Sequence, residues 1–361
     1  MPFSPNFSIS PATAKALMAI EASRTAVDGL PISPLLIASL RESARLLSTH
    51  YSTQIEGNRL TLPEVRQVIA GHGGFPGRER DEKEVRNYYL AADKAEAVAM
   101  LQRRLTEKDI QMLHGLAFEG TLKPTPYRDG QNVIRNSADN RIVYMPPEAR
   151  EVPTLMRELL DWINEEIEEQ RLPVPVIAAL AHYQFATIHP YYDGNGRTSR
   201  LLATTILHRC GYGLKGIYSL EEYYARHLRR YYDALSVGSS HNYHLGRAEA
   251  DVSGFVHYFC EGMADAFLKV RARAETFGGD ARGGVESLMR ELRPLQRQAL
   301  GLFAQSRVVT AGELAKYLGI SQRQGAEFCA TWARDGFLVV ENPSKKARSY
   351  RLAQRYEVGA A

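Results

Sequence analysis

The chain has 361 residues, which is long enough for two or three domains. Of these residues, 44% are hydrophobic and 24% are charged, which is ordinary for a soluble globular protein. It has no run of about eighteen apolar residues and no charged-then-apolar leader, so we expect no membrane span, no signal peptide and a cytoplasmic location. Its three cysteines, Cys210, Cys260 and Cys329, are far apart and odd in number, which argues against a disulfide framework or a zinc site.

The formal net charge of +4 is unevenly distributed along the chain. Residues 285–361 carry twelve Lys or Arg and seven Asp or Glu, which gives +5, so the preceding 284 residues carry −1. Any electrostatic attraction to nucleic acid should therefore come from the C-terminal segment.

Helical periodicity predominates before the middle of the chain. A long helix from about 33 to 56 should end at the Gly57-Asn58 C-cap signal, and Thr106 can cap another helix together with Asp109. The pattern predicts helices at 12–22, 33–56, 82–98, 107–118 and 152–166. Between the last two, residues 127–135 and 142–145 flank a polar tip at 136–140 and predict a β-hairpin, which taken alone could be a surface decoration.

The stretch from Thr187 to Arg200 lies between a buried helix predicted at 174–185 and a second helix beyond it. Its Asp-Gly-Asn-Gly segment consists of residues that favour a turn. A helix that begins with such small residues can bind an anion through its free backbone amides. Arg197 and Arg200 share a helical face and suit phosphate oxygens. His189 and Asp193 supply a base and a hard oxygen ligand for a divalent cation.

Two familiar phosphate-binding motifs do not fit this stretch. A Walker A loop needs a lysine after its glycines, and none is present. The dinucleotide fingerprint needs a preceding strand and a third glycine, but here a helix precedes and Ser199 occupies that position. The sequence therefore predicts a phosphate site of another kind.

The run from His189 to Arg200, His-Pro-Tyr-Tyr-Asp-Gly-Asn-Gly-Arg-Thr-Ser-Arg, resembles the signature of Fic-domain proteins, His-Pro-Phe-x-x-Gly-Asn-Gly-Arg-x-x-Arg. Tyr191 stands where phenylalanine is usual, so a buried ring would bring a hydroxyl that needs a partner. The resemblance covers most of residues 34–270. It implies a mainly α fold, a Fic-type helical core with one β-hairpin flap.

The resemblance also implies roles for individual residues. His189 would be the general base, and Asp193 would hold Mg²⁺ against the phosphates of ATP. The amides of the turn, with Arg197, would stabilise the charge that develops on the phosphates. Asn195 would orient the phosphate, and Arg200 would bind the γ-phosphate. The ATP-binding candidates are Gly194, Asn195, Gly196, Arg197, Thr198, Ser199, Arg200 and Tyr232.

Three further features take their meaning from the resemblance. Ser52-x-x-x-Glu56-Gly57 is similar to the family's inhibitory motif, in which the glutamate pairs with the second arginine and competes with the γ-phosphate. The hairpin would be the flap that holds a target segment by strand addition, through Asn132, Val133, Ile134 and Arg135. Tyr232 would line the nucleotide pocket, although tyrosines at helical spacing are more often packing residues.

The C-terminal part is expected to form a separate module. Gly278 to Gly284 is a predicted linker, followed by helices at about 295–304, 310–318 and 321–335 and by a strand-turn-strand. This order resembles a winged helix-turn-helix, with residues 321–324 facing a major groove and Lys345, Lys346 and Arg348 on the phosphates. Such modules also serve in protein docking or dimerisation, and the sequence leaves both alternatives open.

The sequence thus predicts four regions: 1–98 with the inhibitory helix, a Fic core at 99–277, a linker at 278–284 and a C-terminal winged-helix domain at 285–361. We predict a protein adenylyltransferase that transfers AMP from ATP to Ser, Thr or Tyr hydroxyls of target proteins and of itself, restrained by Glu56. The alternatives are AMP removal, transfer of another phosphate-linked group, or a nucleotide-sensing DNA-binding regulator. Docking of DNA or protein at 285–361 and a homodimer stay open, and no membrane partner is expected.

Overall fold

A computed structural model describes residues 3–30, 32, 34–101, 103–135, 140–238, 240–279, 291–303, 306–344 and 348–357. The hairpin tip at 136–139, linker residues 280–284, Lys345 and Lys346 lie outside the described residues. Within them the protein is mainly α-helical, as the sequence predicted, with two small antiparallel sheets.

The N-terminal half is a succession of helices. They are α1 (Pro11–Asp28), α2 (Pro34–Ile55), α3 (Leu62–Ile69), α4 (Glu79–Ala99), α5 (Glu107–Glu119) and α6 (Val152–Glu169). Thr106 caps α5, with its side chain and that of Asp109 bonding reciprocally to the backbone, as predicted. The sequence analysis missed α3, although Thr61 and Glu64 form the same capping box and Pro63 stands in the first turn.

The predicted signature stretch joins two central helices. These are α7 (Val174–Ile188) and α8 (Asn195–Arg209), followed by α9 (Glu221–Arg226), α10 (Leu228–Leu235) and α11 (Ser253–Gly279). Helix α7 is buried on nearly every side and packs against α6, α8 and α11, which explains its continuous apolar sequence. Helix α11 continues through Gly279, so the first two residues of the predicted linker are helical instead.

The β-hairpin is present but shorter than predicted. Only β1 (Ile134–Arg135) and β2 (Ile142–Tyr144) pair, with Ile134 opposite Tyr144. The residues before β1 form hydrogen bonds to the signature loop instead of to a strand: the amide of Arg128 donates to Pro190 O and that of Gly130 to the Tyr192 hydroxyl. Long-range contacts thus replace the ladder that the pattern of residues 127–133 predicted.

The C-terminal elements follow the predicted order. They are α12 (Pro294–Phe303), β3 (Val309–Thr310), α13 (Ala311–Leu318), α14 (Gln322–Arg334), β4 (Leu338–Asn342), β5 (Ser349–Leu352) and α15 (Gln354–Glu357), with strand order β3-β5-β4. Strand β3 and the short α15 were not predicted. The assignment as a winged-helix domain remains a prediction. The C-terminal core also packs against Leu40 of α2, and the Arg66 guanidinium lies 4.0 Å from the centre of the Tyr317 ring.

None of the helices in the described ranges combines the length and the hydropathy needed to cross a bilayer. The three cysteines form no disulfide, and Cys260 and Cys329 are buried, as expected of core thiols.

Candidate functional site

His189 ends α7 and has an imidazole of defined tautomer. Its backbone is left-handed (φ 53°), which turns the chain out of the helix. The Nδ1 atom lies 3.3 Å from the carbonyl oxygen of Ala186, and because a carbonyl only accepts, Nδ1 carries the hydrogen. Burial is the largest cause that lowers the pKa of His189, to about 4. The ring is therefore neutral at physiological pH, with the Nε2 lone pair available to accept a proton.

The turn before α8 builds an anion site from main-chain atoms. Gly194 is the N-cap residue in a left-handed conformation (φ 77°), and its amide donates to Asp193 Oδ1 at 2.6 Å. In any helix the first amides lack a carbonyl partner within the helix, and those of Asn195, Gly196 and Arg197 hold these positions. Together with the helix dipole they favour an anion at this end.

Three polar side chains predicted to bind ATP are used to build the turn. The Asn195 amide accepts from the Tyr191 N–H at 2.9 Å and donates to the Tyr191 carbonyl at 2.8 Å. The hydroxyls of Thr198 and Ser199 donate to the carbonyls of Gly194 and Gly196. Contacts of these residues with a nucleotide stay a prediction, and for Asn195 the free group is its backbone N–H.

Arg197 has a buried guanidinium, and one of its hydrogen-bond donors has no acceptor among the described residues. Its Nη1 donates to Ala117 O at 3.4 Å, and its Nη2 lies 3.7 Å from Asp193 Oδ1. Among the described residues its Nε has no hydrogen-bond partner. Since a buried unpaired donor is costly, an anion at this end of α8 would relieve that cost.

Arg200 is paired with the glutamate of the predicted inhibitory motif. Its Nη2 donates to Glu56 Oε1 at 2.8 Å and to the Ser52 carbonyl at 3.0 Å, and its Nε donates to the Ser52 hydroxyl at 2.9 Å. Burial is the largest cause and opposes the charge of Arg200, but the Glu56 carboxylate together with Tyr231 and Tyr88 outweighs it, so the pKa of Arg200 is raised. A Cβ on Gly196 would overlap Glu56 Oε1, so this carboxylate lies against the first turn of α8.

The two partners of this ion pair differ in exposure. The Arg200 side chain is 1% exposed, whereas that of Glu56 is 32% exposed. The arginine is fixed in the core. The glutamate follows the last residue of α2 and is the partner that can move out of the ion pair. Tyr232 is half exposed beside it, and its hydroxyl donates to the carbonyl of Ile55 at 3.2 Å. The tyrosine predicted for the nucleotide pocket therefore contacts the segment that contains the predicted inhibitory motif.

His114 of α5 supports the turn, and the sequence analysis did not identify it. Its Nε2 donates to the Asp193 carbonyl at 2.9 Å, and its ring stacks on that of Tyr191 with centroids 3.6 Å apart. Burial lowers the pKa of His114 to about 4, so the ring is neutral and packs as an aromatic. The signal available in sequence was a histidine within an apolar helix face, which is too common to be specific.

The Tyr191 ring is buried, as predicted, but its hydroxyl has no hydrogen-bond partner among the described residues. Because an unsatisfied buried hydroxyl costs about 1–3 kcal/mol, Tyr191→Phe should leave the free energy of unfolding unchanged or raise it by about 1 kcal/mol. Tyr144→Phe is the matched control, since that buried hydroxyl donates to the Thr187 carbonyl at 2.7 Å and its loss should cost about 1 kcal/mol. Urea denaturation of both variants tests this, and a clear loss in Tyr191→Phe would contradict it.

The hairpin is joined to the signature loop by Tyr192. Its hydroxyl donates to Asp129 Oδ1 at 2.7 Å, and the Asn132 amide donates to the Tyr192 carbonyl at 3.4 Å. Of the predicted flap residues, Asn132 and Val133 lie in the approach to the hairpin, and Ile134 and Arg135 form β1. The flap role of these four residues stays a prediction.

The site suits a divalent cation that is bound mainly by substrate phosphates and water and by few protein side chains. The described residues include no group of three or more His, Cys, Asp or Glu able to bind a metal ion. Asp193 is about half exposed, and its Oδ1 accepts from Gly194, so one carboxylate oxygen can still face a cation. Mg²⁺ is commonly bound through one or two carboxylates and substrate phosphates, and Asp193 fits that pattern.

Comparison with known proteins identifies the region that contains this site. Residues 104–207 match the model of the Fic/DOC family. The chain is 32% identical over 199 residues to Protein adenylyltransferase Fic of Drosophila willistoni and 31% identical to that of Drosophila ananassae. Each match covers 54% of this chain but 38% of the relative, so the chain spans well under half of the length of these proteins.

Solved structures extend the similarity to the whole fold. A Fic family protein from Desulfovibrio desulfuricans G20 aligns over 98% of this chain and 99% of its own, with a TM-score of 0.61 and 25% identity. A Fic domain containing signaling protein from Bacteroides thetaiotaomicron aligns over 73% of this chain and 97% of its own, with a TM-score of 0.61 and 22% identity. The second similarity concerns the fold alone.

Proposed function

We propose, on the premise that residues 104–207 match the model of the Fic/DOC family, that the chain is a protein adenylyltransferase. It transfers AMP from ATP to a Ser, Thr or Tyr hydroxyl of a target protein and releases diphosphate. The observation that carries the proposal is the neutral imidazole of His189 next to a helix N-terminus with two buried arginines. A base beside an anion site is what nucleotidyl transfer to a hydroxyl requires.

The reaction follows from these positions. His189 Nε2 takes the proton of the target hydroxyl, whose oxygen attacks the α-phosphorus as the bond to the diphosphate breaks. The amides at the start of α8 and the Arg197 guanidinium stabilise the charge that develops on the phosphates. Mg²⁺ held by Asp193 would neutralise part of the phosphate charge. The products are an AMP-protein ester and diphosphate, and the proton remains on His189 until it passes to solvent.

Glu56 restrains this reaction by occupying Arg200. As long as the carboxylate accepts from Nη2, the γ-phosphate of ATP lacks that donor and meets a negative charge at close range. ATP then binds in a position in which the α-phosphorus is not in line with the target hydroxyl. Displacement of Glu56, the more exposed partner, restores the site.

The target is a protein held along the hairpin, because among the described residues β1 has only β2 as a neighbour in its sheet and can accept an added strand. Self-modification and assembly as a homodimer belong to the same proposal, in the cytoplasm. The +5 charge of residues 285–361 supports docking of an acidic partner or DNA by that segment, which would place the activity beside its target.

Incubation of the purified protein and a cell lysate with Mg²⁺ and ATP labelled at either the α- or the γ-phosphate tests the proposal. Label from the α position alone supports AMP transfer, whereas label from the γ position would indicate a kinase. Loss of label from a pre-adenylylated target, faster with Glu56 than without it, would favour AMP removal. Salt-dependent binding of DNA without any labelling would favour the regulator.

The rate of labelling should respond little to pH near neutrality. Since the pKa of His189 is lowered to about 4, the base is neutral throughout pH 6–8, and the rate should fall about tenfold per pH unit only below about pH 4. The negative charge of Glu56 raises that pKa, so Glu56→Gly should move the acid limb to lower pH. Single-turnover rates from pH 8 down to about one unit below the acid limb measure this, and an acid limb near 6.5, the ordinary value for histidine, would contradict it.

A further inference from the structure

Arg128 lies in the segment before β1 and is only 3% exposed. Its guanidinium donates to three main-chain carbonyls: Nε to His189 O at 3.0 Å, Nη1 to Gly130 O at 3.0 Å and Nη2 to Pro147 O at 2.5 Å. Its backbone N–H donates to Pro190 O at 2.9 Å. One residue thus satisfies four carbonyls of the surrounding backbone.

These carbonyls belong to two different parts of the site. His189 and Pro190 form the loop that carries the base, whereas Gly130 precedes β1 and Pro147 follows β2. A planar guanidinium offers its donors in a fixed fork, so its bonds set the distances among its acceptors. Each of these bonds resists breaking, because a buried group left unpaired costs about 1–3 kcal/mol.

We propose that Arg128 is a positioning residue for the transfer reaction, which holds the backbone of His189 in one fixed relation to both ends of the hairpin. This inference rests on the proposed function, in which the hairpin holds the target and His189 takes its proton. A general base must lie about 2.6–3.2 Å from its proton donor, and a displacement of about 1 Å can cost about 100-fold in rate. Arg128 keeps the base and the bound segment within that range.

The charge of Arg128 also acts on the imidazole. Burial is the largest cause that lowers the pKa of His189, and the hydrogen bond to Ala186 raises it. Of the charged groups around the ring, Arg128 lowers this pKa, whereas Glu56 and Asp193 raise it. Removal of the Arg128 charge should therefore make His189 easier to protonate. This effect is a signature of the direct link between the two residues, separate from any general loss of stability.

Arg128→Lys and Arg128→Gln in the Glu56→Gly background provide the test. Arg128 does not contact the anion site of α8, so both variants should bind ATP within about threefold of the parent. Their single-turnover rate with α-labelled ATP should fall by about 100-fold, because neither side chain can bond all three carbonyls. NMR titration should show a higher midpoint for His189 in Arg128→Gln than in the parent, with a smaller rise in Arg128→Lys, which keeps the charge.

Arg247→Gln is the matched control, since Arg247 is also buried and donates to two main-chain carbonyls, those of Leu235 and Val237, which belong neither to the loop of His189 nor to the hairpin. Its rate should stay within a few fold of the parent at equal folded fraction, measured by urea denaturation. An unchanged rate in both Arg128 variants, or rate and ATP affinity lost together in proportion to unfolding, would overturn the positioning role. An unchanged His189 titration in folded Arg128→Gln would overturn it as well.

The activity of the Glu56→Gly parent separates this inference from the proposed function. If Glu56→Gly itself transfers no label, adenylyl transfer fails, and the positioning role in that reaction fails with it, whatever the titration shows. If the parent transfers label and the Arg128 variants match it, the proposed function stands and only the role of Arg128 is rejected.

Discussion

Replacement of Glu56 by glycine should raise the rate of AMP transfer by about 10- to 100-fold. The carboxylate forms a charge-assisted bond with buried Arg200, and such bonds contribute about 1.5–3 kcal/mol, at about 1.4 kcal/mol per factor of ten. Once it is gone, the Arg200 fork can bind the γ-phosphate, and the α-phosphorus can align with the target hydroxyl. The measurement is the initial rate of protein labelling from α-labelled ATP with Mg²⁺, with and without lysate.

Two further variants separate charge from backbone effects. Glu56→Gln keeps the shape of the side chain and removes its charge, so it should recover most of the increase. Glu42→Gln removes a carboxylate from an exposed position of the same helix and should leave the rate unchanged. If Glu56→Gly binds ATP yet labels no faster than the parent, the inhibitory role of Glu56 is rejected.

The sequence predicted the parts of the site that are local. The turn between α7 and α8, the shared face of Arg197 and Arg200 and the end of α2 near Glu56 depend on residues close together in the chain. Turn propensity and helical spacing report such features directly. The prediction of a mainly helical fold is confirmed, and it succeeded for the same reason, because hydrophobic periodicity is a local signal.

The contacts that the sequence could not predict join distant segments. Arg128 reaches the carbonyl of His189 across 61 positions, and His114 reaches that of Asp193 across 79. In both, the acceptor is a main-chain carbonyl, which every residue possesses, so the sequence carries no complementary partner to recognise. The prediction of a strand at 127–133 was wrong for the same reason. The signature loop, which is distant in sequence, supplies the hydrogen bonds that a β-ladder would have formed.

Under the proposed function, these contacts would also explain how a single helix end can serve both catalysis and its inhibition. The fixed elements are the buried ones: Arg200 in the core, Asn195 bonded to the backbone of Tyr191, and His189 held by Ala186 and Arg128. Glu56 is the more exposed member of its ion pair with Arg200. If the proposed function holds, movement of one side chain would change the protein from restrained to active, without rearrangement of the residues proposed to be catalytic.

His189→Ala in the Glu56→Gly background should lower the single-turnover rate by about 100- to 10,000-fold, the usual contribution of a general base. Equilibrium binding of ATP should change little, because the amides of α8, Arg197 and Arg200 supply the anion site without the imidazole. His72→Ala removes an exposed histidine in a loop and is the matched control for loss of an imidazole. Retention of more than about one tenth of the parental rate would reject His189 as the base. A parallel loss of ATP affinity would assign His189 to binding instead, because a base that acts on the target hydroxyl contributes in the transition state and not to the nucleotide complex.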